Sequence, residues 1–229
     1  MKVLTLRKRA IVIGLCVLLC VAGVVIYFTA IRPTFQPKPQ YTIVIDAGHG
    51  GKDGGAVGAV SGVTESFLNL EYAQELEKIC KEFGFKVVMT RSDMNGLYSE
   101  TASNKKKSEM AKRKEIIEKS NADLVVSIHM NSFPSSSARG SQVFYGEGNE
   151  AGRFLAENVS TILNKNFDYA KKTAKVGDYY VLNCTDKPAI LVECGFLSNS
   201  EEEALLQDED YKERFCYNLL CGILNYFRM

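Results

Sequence analysis

The chain contains two histidines, and each follows an apolar segment that is predicted to be a buried strand. The segment IVI at 43–45 precedes His49, and the segment LVVSI at 124–128 precedes His129. Short apolar runs rich in β-branched residues are typical of parallel strands that are covered on both faces. In open α/β sheets, ligands bind at the carboxyl ends of the strands. We therefore expect both imidazoles to face one crevice at that edge of the sheet.

Two glutamates are candidates for the same crevice. Glu193 ends a third apolar segment, AILV at 189–192, and Glu65 begins a predicted helix after a glycine-rich loop. The loop brings the start of that helix back over the strand ends, where its carboxylate can reach the imidazoles. Two imidazoles and a carboxylate, with one position left open, are typical of a catalytic zinc site. Zn²⁺ in such a site lowers the pKa of bound water from about 15.7 towards about 7.

Hydrolysis at such a site also needs a group that accepts a proton and returns it to the leaving amine. Glu193 suits this task, because desolvation in an apolar strand raises the pKa of a carboxyl group. Asp46 is predicted to orient one of the imidazoles. Asn131, two residues after His129, is a further candidate for orienting a ligand or contacting the substrate. Taken alone, Glu65 is equally well explained as a carboxylate favoured by the helix dipole.

Other kinds of catalytic or binding site are not supported by the spacing. Gly48 and Gly50 lack a third glycine at the spacing of a dinucleotide loop, and no Gly-Lys-Ser/Thr sequence follows. No G-x-S-x-G motif is present. The seven cysteines are odd in number and form no C-x-x-C pair, so those beyond residue 40 are predicted to be buried free thiols.

The segments that position these residues alternate between strands and helices. Strands are predicted at 43–45, 85–89, 124–129, 142–145 and 189–193, and helices at 65–83, 102–119, 150–164 and 200–227. This alternation predicts a single α/β domain with a twisted, mostly parallel sheet covered by helices on both faces. The basic cluster of the second helix is interpreted as a solvated face, with an anionic-polymer patch as the alternative; it contains Lys105, Lys106, Lys107, Lys112, Arg113 and Lys114.

The first forty residues differ from the rest. Residues 1–9 are basic, and residues 10–31 contain no charged side chain. A helix over 10–31 would be about 33 Å long, enough to cross a bilayer. We predict a cytoplasmic flank at 1–9, a transmembrane signal anchor at 10–31, a proline-rich linker at 32–40 and an extracytoplasmic catalytic domain at 41–229. A cleaved signal peptide is the alternative.

The charge of the predicted domain argues against nucleic acid as a partner. Residues 1–40 contain six basic side chains and no acidic one, which leaves residues 41–229 with 22 basic and 27 acidic side chains. A domain with a formal charge of −5 lacks the excess of cations that binding to a phosphate backbone requires.

Four segments closely resemble the signature blocks of the zinc-dependent N-acetylmuramoyl-L-alanine amidases of the amidase-3 group. They are IVIDAGHGGKDGGAVG, TESFLNLEYAQEL, VVSIHMNS and PAILVECGFLSNSEEE, and they lie in the order found in that family. The resemblance implies that His49, Glu65 and His129 bind zinc and that Glu193 is the catalytic carboxylate. It also implies hydrolysis of the amide that joins the lactyl group of N-acetylmuramic acid to L-alanine in peptidoglycan.

The short chain with one predicted anchor looks most like the germination-specific, spore-cortex type of these amidases. That type removes stem peptides before muramic-δ-lactam forms, in a setting such as the forespore intermembrane space. Since no wall-binding module is recognised, a separate protein is expected to recruit or activate the enzyme. Two competing hypotheses are a zinc peptidase that cleaves the stem peptide itself and a wall-binding protein that has lost catalysis.

Overall fold

The computed structural model describes residues 13–22, 41–167 and 171–228. The chain divides into two units, Met1–Lys38 and Pro39–Met229. In the first unit, residues 13–22 form a helix, α1.

The predicted membrane anchor is only partly covered by these residues. Residues 10–12 and 23–31 of the predicted span, the flank at 1–9 and the linker at 32–40 lie outside them. Where the chain is described, no helix has both the length and the apolar character needed to cross a membrane. The anchor therefore stays a prediction.

A single sheet forms the centre of the second unit. Its six described strands are β1 (Thr42–Ala47), β2 (Lys86–Met89), β3 (Leu124–Asn131), β4 (Gln142–Tyr145), β5 (Lys175–Val176) and β6 (Ala189–Phe196). They are arranged in the order β2-β1-β3-β6-β4-β5. All neighbouring pairs are parallel except β4 and β6, which are antiparallel.

The antiparallel position of β4 departs from a uniformly alternating pattern and gives a mixed sheet. A parallel return needs a crossover of a dozen or more residues, usually a helix. Residues 132–141, between β3 and β4, contain no helix. The chain therefore runs back in the opposite direction after β3.

Helices cover the sheet on both faces, as predicted. The described helices of this unit are α2 (Glu65–Glu82), α3 (Lys105–Lys119), α4 (Glu150–Asn166), α5 (Tyr180–Asn183), α6 (Ser200–Leu206) and α7 (Glu209–Phe227). Buried side chains of α2, α4 and α7 share one apolar core, and those of α3 and α5 share the other. The helical sequence predicted over 200–227 forms two helices, because Asp208 caps a new helix by accepting from the Tyr211 amide at 2.8 Å.

Alternation along the central strands supplies both cores. Ile43 and Ile45 of β1 lie in the core beneath α2 and α7, whereas Val44 lies in the core beneath α3. Successive side chains of a strand point to opposite faces, so a continuous apolar segment is what a doubly covered strand requires. The prediction of buried free thiols is confirmed for Cys80, Cys194 and Cys216, whereas Cys184 and Cys221 are free but only partly buried.

Candidate metal centre and active site

Three of the predicted side chains converge at the carboxyl edge of the sheet. Glu65 Oε1 lies 3.1 Å from His49 Nε2 and 2.8 Å from His129 Nδ1. One ligand atom from each of the three residues lies within 4.8 Å of the others. The single crevice expected from the strand ends is therefore present, although the three residues are far apart in sequence.

His49 lies on a strained turn two residues beyond β1. Its backbone has a φ of 59°, in the left-handed region that non-glycine residues adopt at a cost. Gly48 before it must be glycine, because a Cβ there would come within 2.2 Å of the His129 ring. The glycine-rich loop thus lets one imidazole pack directly against the backbone that carries the other.

Glu65 is the first residue of α2, and its carboxylate is held by the loop that precedes the helix. Oε2 accepts a hydrogen bond from the Ala56 amide at 2.8 Å, which leaves Oε1 to face the imidazoles. Gly55 has a φ of 67°, and a Cβ there would lie 2.5 Å from Oε2. Burial raises the pKa of Glu65, but His129 and His49 lower it more, so the net shift is downward and the carboxylate stays ionised.

His129 and Glu193 occupy partner positions on β3 and β6. The expectation that the strands end at these residues is wrong, because β3 continues to Asn131 and β6 to Phe196. Both side chains nevertheless line the same cavity. Glu193 is 8% exposed, and its Oε2 has no hydrogen-bond partner among the described residues. Burial raises the pKa of Glu193 to about 7.

Asp46 does not hold an imidazole directly, contrary to prediction. Its carboxylate accepts hydrogen bonds from Thr90 Oγ1 at 2.8 Å and from Ser127 Oγ at 2.6 Å, and it forms an ion pair with Arg113. The physical reason is that α3 places the Arg113 guanidinium against the same face of β1. Burial raises the pKa of Asp46, yet Arg113 and the two hydroxyls lower it below its ordinary value.

The carboxylate at an imidazole is instead Asp53, which sequence reasoning missed. Asp53 Oδ1 lies 2.9 Å from His49 Nδ1, a close electrostatic contact without the alignment of a hydrogen bond, and Oδ2 lies 2.7 Å from Lys106 Nζ. Burial raises the pKa of Asp53, but Lys106 and His49 outweigh it and lower the pKa to about 2. The available signal was an acidic residue four positions after His49 in the same glycine-rich loop.

Arg113 corrects the interpretation of the lysine-rich helix as a wholly solvated face. Its side chain is 2% exposed and pairs with both Asp46 and Glu109, the latter at 2.7 Å. One arginine in a run of exposed lysines carries no sequence signal of burial. Only the paired positions of Glu109 and Arg113, four apart on α3, hinted at a specific contact.

A cavity of about 510 Å³, partly open to solvent, lies at this site. Its polar part contains the triad, Glu193, Asp46, Arg113, Lys106, Asn131, Ser132 and Asp178. Its apolar wall contains Ala56, Met110, Met130, Tyr179, Tyr180, Val181 and Leu191. Asn131 is half-buried at the end of β3, where it can contact a bound molecule. The arrangement combines a triad that could hold a metal ion with a buried carboxyl group whose Oε2 has no hydrogen-bond partner among the described residues and whose pKa lies near neutral pH.

Comparison with known proteins places this geometry in a family. The family model Amidase_3, N-acetylmuramoyl-L-alanine amidase, matches residues 43–225. The chain is 34% identical over 200 residues to the germination-specific N-acetylmuramoyl-L-alanine amidase of Bacillus subtilis (strain 168), covering 86% of this chain and 84% of the relative.

Solved structures with the same fold include two amidases. The CwlD amidase of Clostridioides difficile, solved in complex with the GerS lipoprotein, has a TM-score of 0.79 and 36% identity, and the match covers 82% of this chain and 98% of that one. The catalytic domain of CwlV from Bacillus (Paenibacillus) polymyxa var. colistinus has a TM-score of 0.73 and 34% identity, with coverage of 82% and 98%.

Proposed function

The chain belongs to the N-acetylmuramoyl-L-alanine amidase family, and from this premise we propose that it is a zinc enzyme of the CwlD type acting on spore-cortex peptidoglycan. The bond cleaved is the amide between the lactyl group of N-acetylmuramic acid and L-alanine of the stem peptide. The observation that carries the proposal is the placement of the triad beside a buried, unpaired glutamate in one open cavity. A metal hydrolase needs both features at one site.

We assign His49, Glu65 and His129 as the zinc ligands. The donor set fits the metal, because two imidazole nitrogens converge on one carboxylate oxygen whose partner oxygen is already held by the Ala56 amide. Each imidazole must present a nitrogen lone pair to bind zinc. The Asp53 contact at His49 Nδ1 favours the proton on that nitrogen, so the lone pair of Nε2 is available to the metal. When bound there, Zn²⁺ would supply Lewis-acid polarisation of the amide carbonyl and activation of water.

Glu193 is assigned the proton transfers. Its Oε2 has no competing hydrogen bond among the described residues, and burial keeps its pKa near 7. A carboxyl group with that pKa accepts a proton from the attacking water and returns it to the departing L-alanine amine. Asn131, which lines the cavity, is proposed to contact the substrate.

The cellular setting is inferred from the relatives. The Bacillus subtilis relative is described as germination-specific, and the Clostridioides difficile structure contains a lipoprotein with the amidase. We propose by analogy that this chain acts outside the cytoplasmic membrane. In this proposal residues 10–31 anchor the protein, and residues 32–40 link the anchor to the catalytic domain at 41–229. We further propose that a protein partner recruits or activates the enzyme.

The test is a digest of purified cortex and vegetative peptidoglycan with the full-length protein in detergent, with chelator and after addition of Zn²⁺. Mass spectrometry should detect stem peptides with a free L-alanine amino terminus, lost on chelation and restored by Zn²⁺. New termini within the stem peptide would identify a peptidase instead. Binding to peptidoglycan without cleavage, by protein that contains zinc, would contradict an active amidase unless a partner restored cleavage.

A further inference from the structure

Arg91 is a buried arginine whose hydrogen bonds go to main-chain carbonyls. It is 4% exposed and lies two residues after the end of β2. Its guanidinium donates to the carbonyls of Ala47 at 3.0 Å, Asp93 at 2.8 Å, Gly48 at 2.8 Å and Ser66 at 2.7 Å. No carboxylate of the described residues forms an ion pair with it. Burying a cation without a paired anion is unfavourable, so this arrangement calls for an explanation.

One nitrogen of Arg91 connects the two segments that carry His49 and Glu65. Nη2 donates both to the Gly48 carbonyl, next to His49, and to the Ser66 carbonyl, next to Glu65. The planar guanidinium fixes the directions of these two bonds, which a flexible ammonium would not do. Arg91 thus adds a rigid bridge to the contacts that already join the glycine-rich loop to the start of α2. In these contacts the Asn69 amide donates to the Gly48 carbonyl at 3.2 Å, and the Ser66 amide donates to the Gly54 carbonyl at 2.9 Å.

Arg113 binds the same turn as Arg91. It donates to the Ala47 carbonyl at 2.9 Å and to the His49 carbonyl at 2.7 Å. The carbonyls of three consecutive residues, 47 to 49, are thus all occupied by the two guanidinium groups. This explains how His49 is kept in a left-handed conformation that the free chain would leave.

The two arginines differ in one respect that singles out Arg91. Arg113 is neutralised by Asp46 and Glu109, so it has a sufficient structural reason for its burial. Of the two arginines, only Arg91 bonds to the start of α2 as well as to the turn that carries His49.

We propose that Arg91 is a positioning residue for the metal centre, a role that rests on the proposed function because it assumes that His49 and Glu65 bind zinc. Its guanidinium holds both ligands at the separation that one cation requires, before the cation binds. A purely structural role would make Arg91 contribute to stability alone. A positioning role makes it contribute to metal affinity and to ligand geometry in the folded protein.

The variants R91K and R91M separate these roles. R91K keeps the cation and can reach one carbonyl, whereas R91M keeps most of the aliphatic volume and makes no such bond. R153K, at an exposed arginine of α4 that pairs with Glu150 and Glu157, controls for the exchange of arginine for lysine. L163A, at a buried leucine of α4, controls for a loss of stability remote from the site.

The measurements use the full-length protein in detergent: the Zn²⁺ dissociation constant by chelator competition, the visible spectrum after Co²⁺ substitution, and thermal unfolding without metal. We expect R91M to weaken Zn²⁺ binding about 10- to 100-fold, the range for groups that orient metal ligands. R91K should fall between R91M and wild type. Both should alter the Co²⁺ spectrum, while L163A unfolds at a lower temperature with unchanged affinity and spectrum.

Folded R91K and R91M with affinity and Co²⁺ spectra like those of R153K would overturn the positioning role and leave the metal assignment intact. If R91M does not fold, R91K decides by the same criteria. If wild-type protein binds neither Zn²⁺ nor Co²⁺, the metal assignment itself fails, and the role of Arg91 fails with it.

Discussion

His129 and Glu193 lie directly opposite each other on the neighbouring parallel strands β3 and β6. The first contacts Glu65 in the triad, and the second has a carboxylate oxygen without a hydrogen-bond partner among the described residues. Since both are fixed by the sheet ladder, the proposed metal ligand and the proposed proton carrier are held at a constant separation by rigid backbone. Metal binding and proton transfer are therefore assigned to different residues, and mutation can test the two functions independently.

The variant E193Q should bind zinc as wild type does and lose turnover by a factor of about 10² to 10⁴, the usual contribution of a general acid or base. The amide is close in shape to the carboxyl group but cannot accept and return a proton. Zinc content by elemental analysis and stem-peptide release by mass spectrometry measure the two effects. E157Q, at an exposed residue of α4, is the matched control. A rate for E193Q near that of wild type would remove Glu193 from the mechanism.

The same variant should change how the stability of the metal-free protein depends on pH. Burial raises the pKa of Glu193 to about 7 from its ordinary value of 4.5. The folded state therefore holds this proton more tightly than the unfolded chain does. The stabilising contribution of this tighter proton binding is fully present below pH 4.5, and it is lost as the pH rises through 7.

Because glutamine does not ionise, the free energy of unfolding of E193Q relative to wild type should increase by about 3 kcal/mol between pH 4 and pH 8. Urea titrations of both chelated proteins across this range measure the difference, in which titrating groups remote from Glu193 cancel. A difference that stays constant with pH would contradict the raised pKa.

The variant H129A should lose the metal as well as activity, in contrast to E193Q. Removing one imidazole leaves His49 and Glu65 as the only proposed ligands, too few for a stable zinc site. Zinc content after dialysis against buffered metal should fall close to zero, with thermal unfolding confirming that the metal-free variant is folded. Retention of one zinc per chain would mean that the metal lies elsewhere.

Much of this site could be predicted from the sequence because it is built on central strands. Apolar β-branched segments marked β1, β3 and β6, and parallel strands bring their carboxyl ends to one edge whatever their separation in sequence. The positions of His49, His129 and Glu193 followed from that rule. Glu65 followed from the short glycine-rich loop before α2.

The supporting contacts could not be predicted in the same way. Which cation meets Asp46 depends on how α3 packs on the sheet, and the sequence presents Arg113 within a run of lysines that are mostly exposed. The pairing of His49 with Asp53 depends on the left-handed turn at His49, which no pattern of residue types specifies. The antiparallel direction of β4, by contrast, was within reach of the sequence, because no helix is predicted between residues 129 and 142.

The variant D53N should weaken zinc binding about tenfold, near the lower end of the range for residues that orient metal ligands. The amide lacks the charge that favours a proton on His49 Nδ1 and can present an N–H to that nitrogen instead. Because Asp53 is partly exposed, the free energy of unfolding of the metal-free protein should change little. Chelator competition and urea unfolding measure the two quantities. Unchanged affinity would show that the glycine-rich loop alone orients His49.

The variant D46N should lower the free energy of unfolding and change zinc affinity little, the opposite of D53N, because Asp46 holds Arg113 and not an imidazole. Removing one partner of a buried ion pair typically costs 3–5 kcal/mol. We expect about 3 kcal/mol here, because Arg113 keeps its pairing with Glu109. Urea unfolding of the metal-free protein measures this loss of stability. Chelator competition, under conditions where D46N is folded, measures its zinc affinity. We expect the zinc affinity of D46N to be closer to that of wild type than the zinc affinity of D53N is. If D46N instead kept its stability and lost zinc, Asp46 would act on the imidazoles after all, and the ion pair with Arg113 would not be its main role.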